Sequence, residues 1–205
     1  GLISLLFAEA VGLFFGILCA QFRGKWPDYL LMVVAVLGIA LPSMVLGPIL
    51  RMIFGVKLGI LPVTGWGKTN QIILPALVLG LGTVAGNTRN MRASMLAITT
   101  QDYVKTARAK GLSPIRVVLK HQFKNSLVPI IPNLGVQIAG VLMGSFVVES
   151  MFLIPGLGRY FVDSVTNLDY PLIMGLTVFY GAFLVIMNLI VDVLYGLIDP
   201  RIRVK

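Results

Sequence analysis

Long apolar blocks, rather than strict alternation or short amphipathic runs, dominate the pattern of this chain. A helix needs roughly 20 apolar residues to cross hydrocarbon, and five stretches qualify. Residues 2–22 are interrupted only by Glu9. Residues 30–50 carry no charge but contain Pro42 and Pro48. Residues 72–88 are uncharged, with a helix predicted to run on past Arg89 and Arg92. Residues 127–148 contain Pro129 and Pro132. Residues 171–191 are uncharged, and their pattern continues to Ile198. The expected fold class is therefore all-α, a polytopic transmembrane helical bundle forming one domain over 1–205. The first block is too long for a signal-peptide core and has no basic region before it, so cleavage is not expected.

Composition sharpens this picture. Of the 205 residues, 57% are hydrophobic and 12% charged, against about 45–50% and about 25% in soluble domains. Mean hydropathy is +0.92. A soluble enzyme and a disordered tail are both disfavoured. The single Cys19 excludes an intrachain disulfide and a multi-cysteine metal site.

The net charge of +9 is distributed unevenly. Thirteen basic residues fall on one side of the five blocks: Arg23, Lys25, the eight from Arg89 to Lys124, and Arg201, Arg203 and Lys205. Arg51, Lys57, Lys68 and Arg159 fall on the other. Basic loops stay in the cytoplasm. This predicts a cytoplasmic loop at 100–126, external loops at 52–71 and 149–170, and a cytoplasmic C-terminus. The excess charge orients the chain and calls for no nucleic acid. An external N-terminus beginning at Gly1 rather than Met predicts an upstream helix.

The loop between the third and fourth blocks is the most informative stretch. Thr106 to Lys110 tolerates helix and ends in basic residues. Gly111 stands where a left-handed C-terminal cap belongs. Ser113 is a plausible N-cap, with Pro114 at the first helical position. A second helix is expected over 115–126. The loop thus reads as helix, glycine turn and helix: compact, ordered and basic. On composition alone it could simply set topology. A rigid basic helix at a membrane face could also dock in a partner's groove with an acidic rim.

The residues of this loop resemble the cytoplasmic "EAA" loop of permease subunits in bacterial ABC importers. That motif is Glu-Ala-Ala, three residues, Gly, nine residues, then Ile-x-Leu-Pro. Lys105, Thr106 and Ala107 take its first three places and Gly111 its glycine. His121, Phe123 and Lys124 take the Ile, Leu and Pro places, so only Ala107 and Gly111 match the general form. Thr106 to Ser113, reading Thr-Ala-Arg-Ala-Lys-Gly-Leu-Ser, is similar to the version in oligopeptide and dipeptide permeases. His121-Gln-Phe-Lys-Asn125 resembles the same branch's His-x-Leu-Arg-Asn. Gly144 to Glu149, Phe152, Pro155-Gly-Leu-Gly158, Asp169-Tyr170-Pro171 and the ending around Asp192, Tyr195 and Asp199-Pro200-Arg201 fit as well.

The resemblance implies a permease of a type I importer in a bacterial inner membrane, its five spans corresponding to helices two to six. It implies a second permease subunit, two cytoplasmic ATPase subunits that use the ATP, an extracytoplasmic solute-binding protein and a peptide cargo. Membrane lipid is the remaining partner, and no cofactor or covalent chemistry is implied for this chain. The ATPase-coupling surface would comprise Lys105, Thr106, Ala107, Arg108, Lys110, Gly111, Leu112, Ser113 and Pro114. Nickel and glutathione permeases remain alternatives within the family. An ion-coupled secondary transporter, a channel or an intramembrane enzyme would need buried acids in internal repeats, conductance without ATP, or a catalytic set within the bilayer.

Other residues carry weaker signals. Gly65-Trp-Gly67-Lys68-Thr69 echoes a phosphate-binding loop, but Pro62 replaces its first glycine. Glu9 reads as an interfacial carboxylate before a pore group, and Asp192 as a packing or ion-pair residue. Glu149 reads as a loop anchor, and His121 as a hydrogen-bonding loop residue. Gly12-x-x-x-Gly16 and Gly140-x-x-x-Gly144 allow close helix approach. Asn133, Gln137 and Asn188 are uncharged polar groups within spans, candidates for lining a pore or bonding between helices. The four prolines of the second and fourth blocks are expected to bend them or to be accommodated by packing.

Overall fold

A computed structural model describes residues 1–142 and 146–198, and among them every regular element is helical. The first helix, α1 (Leu2–Gln21), has 20 residues and so reaches about 30 Å, a hydrocarbon thickness. Its buried positions include Ser4, Ala8, Gly12 and Gly16. Small residues four apart form a stripe down one face, and α4 (Asn70–Thr99) lies along it. A Cβ on Gly12 would stand 2.7 Å from Asn87 Cβ and 2.9 Å from the Val84 carbonyl oxygen. Only hydrogen in that position lets the two backbones approach so closely.

The second apolar block is not one straight helix. α2 (Trp26–Ala40) and α3 (Ser43–Leu50), with a π-helical continuation at Arg51–Lys57, meet at 109°. Pro42 accounts for the break. Its ring disfavours a helical conformation at the preceding residue, and Leu41 is extended at φ −92°, ψ 112°. Pro48 and Pro75 sit inside α3 and α4.

After α4 come α5 (Asp102–Ala109) and a helical rod over 114–126. The rod comprises α6 (Pro114–Arg116), a π-helical run (Val117–Phe123) and α7 (Lys124–Ser126). Then follow α8 (Ile131–Leu142), α9 (Phe146–Phe152), α10 (Leu157–Thr166) and α11 (Tyr170–Ile198). Within the fourth block, expected as a span over 127–148, hydrogen-bonded turns run through Pro129 into α8.

Among the described residues three helices, α1, α4 and α11, are long and apolar enough to cross a membrane, or four if the bent α2–α3 pair is one span. The five-span expectation thus holds only roughly among the described residues: Pro42 divides the second block, and the fourth is described only on either side of 143–145.

The core runs along α4. At one end Leu74 and Val78 pack with Val148 and Phe152 of α9. Farther along, Met91 and Met95 pack with Ile130, Leu13 and Ile17. A polar layer at Asn87 separates the two clusters in sequence.

Candidate docking element and polar interior

The loop expected to be a helix, a turn and a helix has that form. Gln101 is extended at the start of α5, Asp102 lies in its first turn and Arg108 in its last, each complementing the helix dipole. Val104 and Ala107 turn inward and pack with Val117, Ile98 and Leu112. Gly111 has φ +73°. Its N–H donates to the Arg108 carbonyl at 2.9 Å, and the Leu112 N–H to the Ala107 carbonyl at 3.4 Å. This pair of bonds closes the helix end and folds Leu112 back against it.

Ser113 then turns the chain, extended at φ −58°, ψ 145°, and Pro114 opens the rod as expected. The expected side-chain cap is not formed. Ser113 and Pro114 are exposed, so water can serve the first N–H groups. The second helix also differs from expectation, since Val117–Phe123 winds as π-helix.

The rod is tied to two spans. Gln122 is fully buried. Its Nε2 donates to Thr99 Oγ1 at 3.1 Å, and its Oε1 accepts from Gln21 Nε2 at 3.3 Å. Ser94 Oγ donates to the Ser126 carbonyl at 2.8 Å, and Ser126 Oγ lies 3.1 Å from Met95 Sδ. The rod is therefore bonded to the ends of both α1 and α4. Outward, the rod presents Ile115, 72% exposed, and Leu119, 58% exposed. Exposed Arg116 and Lys120 flank them. Between rod and α5 lies a groove of ≈ 470 Å³ whose walls include Tyr103, Thr106, Lys110, Lys120 and His121. Of the predicted surface, Lys105, Thr106, Arg108, Lys110, Gly111, Ser113 and Pro114 are exposed, Leu112 is half-buried and Ala107 is buried. Ala107 thus holds α5 in place from within. His121 takes its loop bond through its backbone, the carbonyl accepting from Asn125 Nδ2 at 2.8 Å.

Inside the bundle, Asn87 is the polar centre. Its Nδ2 donates to Glu9 Oε1 at 2.8 Å, and its Oδ1 accepts from Gln137 Nε2 at 2.9 Å. One amide thus links α1, α4 and α8. Glu9 is directed at α4. Gln137 joins this layer, whereas Asn133 is exposed and Asn188 half-buried on α11. Near the docking element a second polar contact closes. Asp28, 2% exposed, accepts from Arg92 Nε and Nη2, each at 2.7 Å, and from the Gly24 N–H at 3.0 Å.

Sequence reading missed Asn87 and the Asp28–Arg92 pair. The available signal was an acidic and a basic residue at neighbouring span ends of the same predicted side.

At the opposite end, Glu149 anchors its loop as expected. Its carboxylate accepts the Arg159 N–H at 3.2 Å, at the first turn of α10. Burial pushes this carboxyl above the usual range, and the Arg159 and Gly158 N–H groups work against that shift. Gly65 and Gly67, from the phosphate-loop echo, form a turn with positive φ, and the Gly65 N–H donates to the Phe152 carbonyl at 3.1 Å. Among the described residues no group of three His, Cys, Asp or Glu side chains could hold a metal ion. The side chain of Asp192, and Gly144, Asp199, Pro200 and Arg201, lie outside the described residues.

The fold is similar to an inward-facing structure of the MetNI methionine ABC transporter. The TM-score is 0.78, covering 97% of this chain and 90% of that one at 16% identity. In sequence the chain is 44% identical over 203 residues to the dipeptide transport system permease protein DppB of Bacillus subtilis, covering 99% of this chain and 66% of that protein. It is 42% identical over 205 residues to the oligopeptide permease protein OppB of Haemophilus influenzae, covering 99% and 67%. It is 44% identical over 202 residues to the glutathione permease protein GsiC of Escherichia coli K12, covering 98% and 66%. The chain spans about two thirds of the length of these relatives. Residues 12–204 match the family of binding-protein-dependent transport system inner membrane components, and the chain belongs to that family of multi-pass membrane transport proteins.

Proposed function

We propose that the chain is a permease subunit of an ATP-driven importer of small peptides. With a second permease it forms the translocation path. Two ATPases dock on the exposed basic face of α5 and the rod, and a solute-binding protein delivers cargo from outside. The observation that carries this reading is the docking element itself. It is an ordered, exposed, basic unit fastened by Gln122 and Ser126 to the ends of two spans. Closure of the ATPases moves it, α1 and α4 follow, and the bundle opens outward. Hydrolysis resets it inward. The chain itself performs no covalent chemistry and holds no cofactor. Asn133, Gln137 and Asn188 are proposed to face the path.

The docking loop and the C-terminus are assigned to the cytoplasm by the basic residues around them. The cargo assignment rests on the dipeptide and oligopeptide relatives. Glutathione, itself a tripeptide, is the second reading, favoured by the comparable identity to GsiC.

The test is reconstitution with ATPase subunits, a second permease and a solute-binding protein from the same organism, in vesicles supplied with labelled dipeptide or glutathione. ATP-dependent accumulation of either is expected, with no nucleotide bound by this chain alone. Uptake driven by an ion gradient without ATP would refute the reading. Orientation is checked in a Cys19→Ser background, where Gly67→Cys but not Ser113→Cys should react with an impermeant thiol reagent on intact cells.

A further inference from the structure

Helix α2 is lightly held. Its buried residues are Asp28 and Ala35, and Gly38 adds one close approach, where a Cβ would lie 3.2 Å from the Leu81 carbonyl oxygen. The polar tie at its inner end is the fork from Arg92 to Asp28, two bonds of 2.7 Å. Two parallel bonds fix direction as well as distance. Asp28 also accepts the Gly24 N–H, so the same carboxylate sets the turn between α1 and α2. Burying such a pair gains little net stability, because desolvation offsets the attraction. Its contribution is geometric.

The pair joins α4 to α2. Arg92 lies in the last turns of α4, the segment whose Ser94, Met95 and Thr99 hold the docking rod. On the far side of the pair, α2 leads to the 109° break and α3. We propose that the Asp28–Arg92 pair is the positioning contact that transmits displacement of the docking element, through α4, to the broken α2–α3 span. Without it the rod still moves α4, but α2 no longer follows. This rests on the docking reading above and adds a residue-level route within the bundle.

Asp28→Asn tests it with little change of shape. An asparagine oxygen can still accept the Gly24 N–H, but the charge-assisted fork is lost. Arg92→Lys keeps the charge and one contact without the fork. Each is assembled with the ATPases and partner permease, and cargo transported is measured against ATP hydrolysed.

The expected result is an assembled complex whose ATP hydrolysis stays within about twofold of the parent, while cargo moved per ATP falls on the order of tenfold for Asp28→Asn and less for Arg92→Lys. Spin labels at Val34→Cys on α2 and Gln101→Cys at the start of α5, both exposed positions, are each paired with a label on the partner permease in a Cys19→Ser background, and should report an ATP-dependent change of distance at both sites in the parent. In Asp28→Asn they should report it at Gln101→Cys alone. Parallel loss of assembly, hydrolysis and uptake at an unchanged ratio would overturn the proposal and make the pair purely structural. So would failure of both variants to assemble, or full coupling in Asp28→Asn. An unsubstituted complex without ATP-driven uptake would instead remove the functional reading on which the proposal rests.

Discussion

Helices α4 and α11 are nearly equal in length, 30 and 29 residues, and both are apolar enough to span a membrane. Yet 50% of the most apolar stretch of α4 is buried in the protein, against 11% for α11. The helix that is uncharged from 171 to 191 is the bare one, and the helix carrying Asn87, Thr88, Arg89, Asn90 and Arg92 is the axis of the bundle. In water that order would be reversed. In hydrocarbon a leucine gains little by exchanging lipid for protein, so small residues that allow close approach and polar groups that need partners decide which helix lies inside. The contacts of α4 follow that rule, with Gly12 and Gly16 against one side and Glu9, Gln137 and Asp28 bonded to it.

Glycine substitution should break this contrast most sharply. A Cβ on Gly16 meets the Met91 side chain and lies 2.8 Å from the Thr88 carbonyl oxygen, whereas one on Gly181 meets nothing within 4 Å. Gly16→Leu should cost about 3 kcal/mol or prevent folding altogether, and Gly181→Leu less than about 0.5 kcal/mol. Thermal unfolding in detergent reads both. Equal tolerance at the two sites would mean that α1 and α4 do not pack through their small residues.

A smaller effect separates the fully buried, bonded amide of α4 from the half-buried one of α11. Asn87→Leu leaves Glu9 and Gln137 without their shared partner and should cost about 2 kcal/mol. Asn188→Leu, on α11, should change stability by less than about 0.5 kcal/mol by the same measurement.

The smallest expected effect lies within the docking element. Because Ser113 makes no capping bond, Ser113→Ala should cost well under the ~1 kcal/mol of a lost N-cap, with ATPase association unchanged. A large loss would show that the hydroxyl works at the partner interface.

The features legible in the sequence were those written into single residues. Gly111 and Pro114 mark the turn and the start of the rod because each permits or imposes a backbone conformation, and both lie where expected. Glu149 was legible as an anchor by its place at a loop boundary. Contacts between spans were not. Glu9 and Asn87 are 78 positions apart, Asp28 and Arg92 64. In uniformly apolar helices no amphipathic stripe fixes which face turns inward. The small-residue stripe on α1 was the one available clue, and glycine is too common in spans for it to decide. Pro42 announced a bend but not its 109°, which depends on how α3 packs. The π-helical winding at Val117–Phe123 left no trace in local propensity.

The central claim is that an ordered docking loop links ATPases to the bundle, and Gly111→Val tests it most directly. The residue sits at φ +73°, and a Cβ there would meet nothing within 4 Å, so a valine strains the backbone without touching the spans. Strain of about 1–2 kcal/mol at one residue corresponds to roughly a tenfold shift in an equilibrium. ATPase co-purification and ATP-driven vesicle uptake are measured together, with Ser113→Ala alongside. The account predicts a normally inserted, monodisperse Gly111→Val permease that retains roughly a tenth of ATPase binding and uptake. Full binding and full ATP-driven uptake in that variant would contradict it and leave the loop's charge as no more than a topology signal.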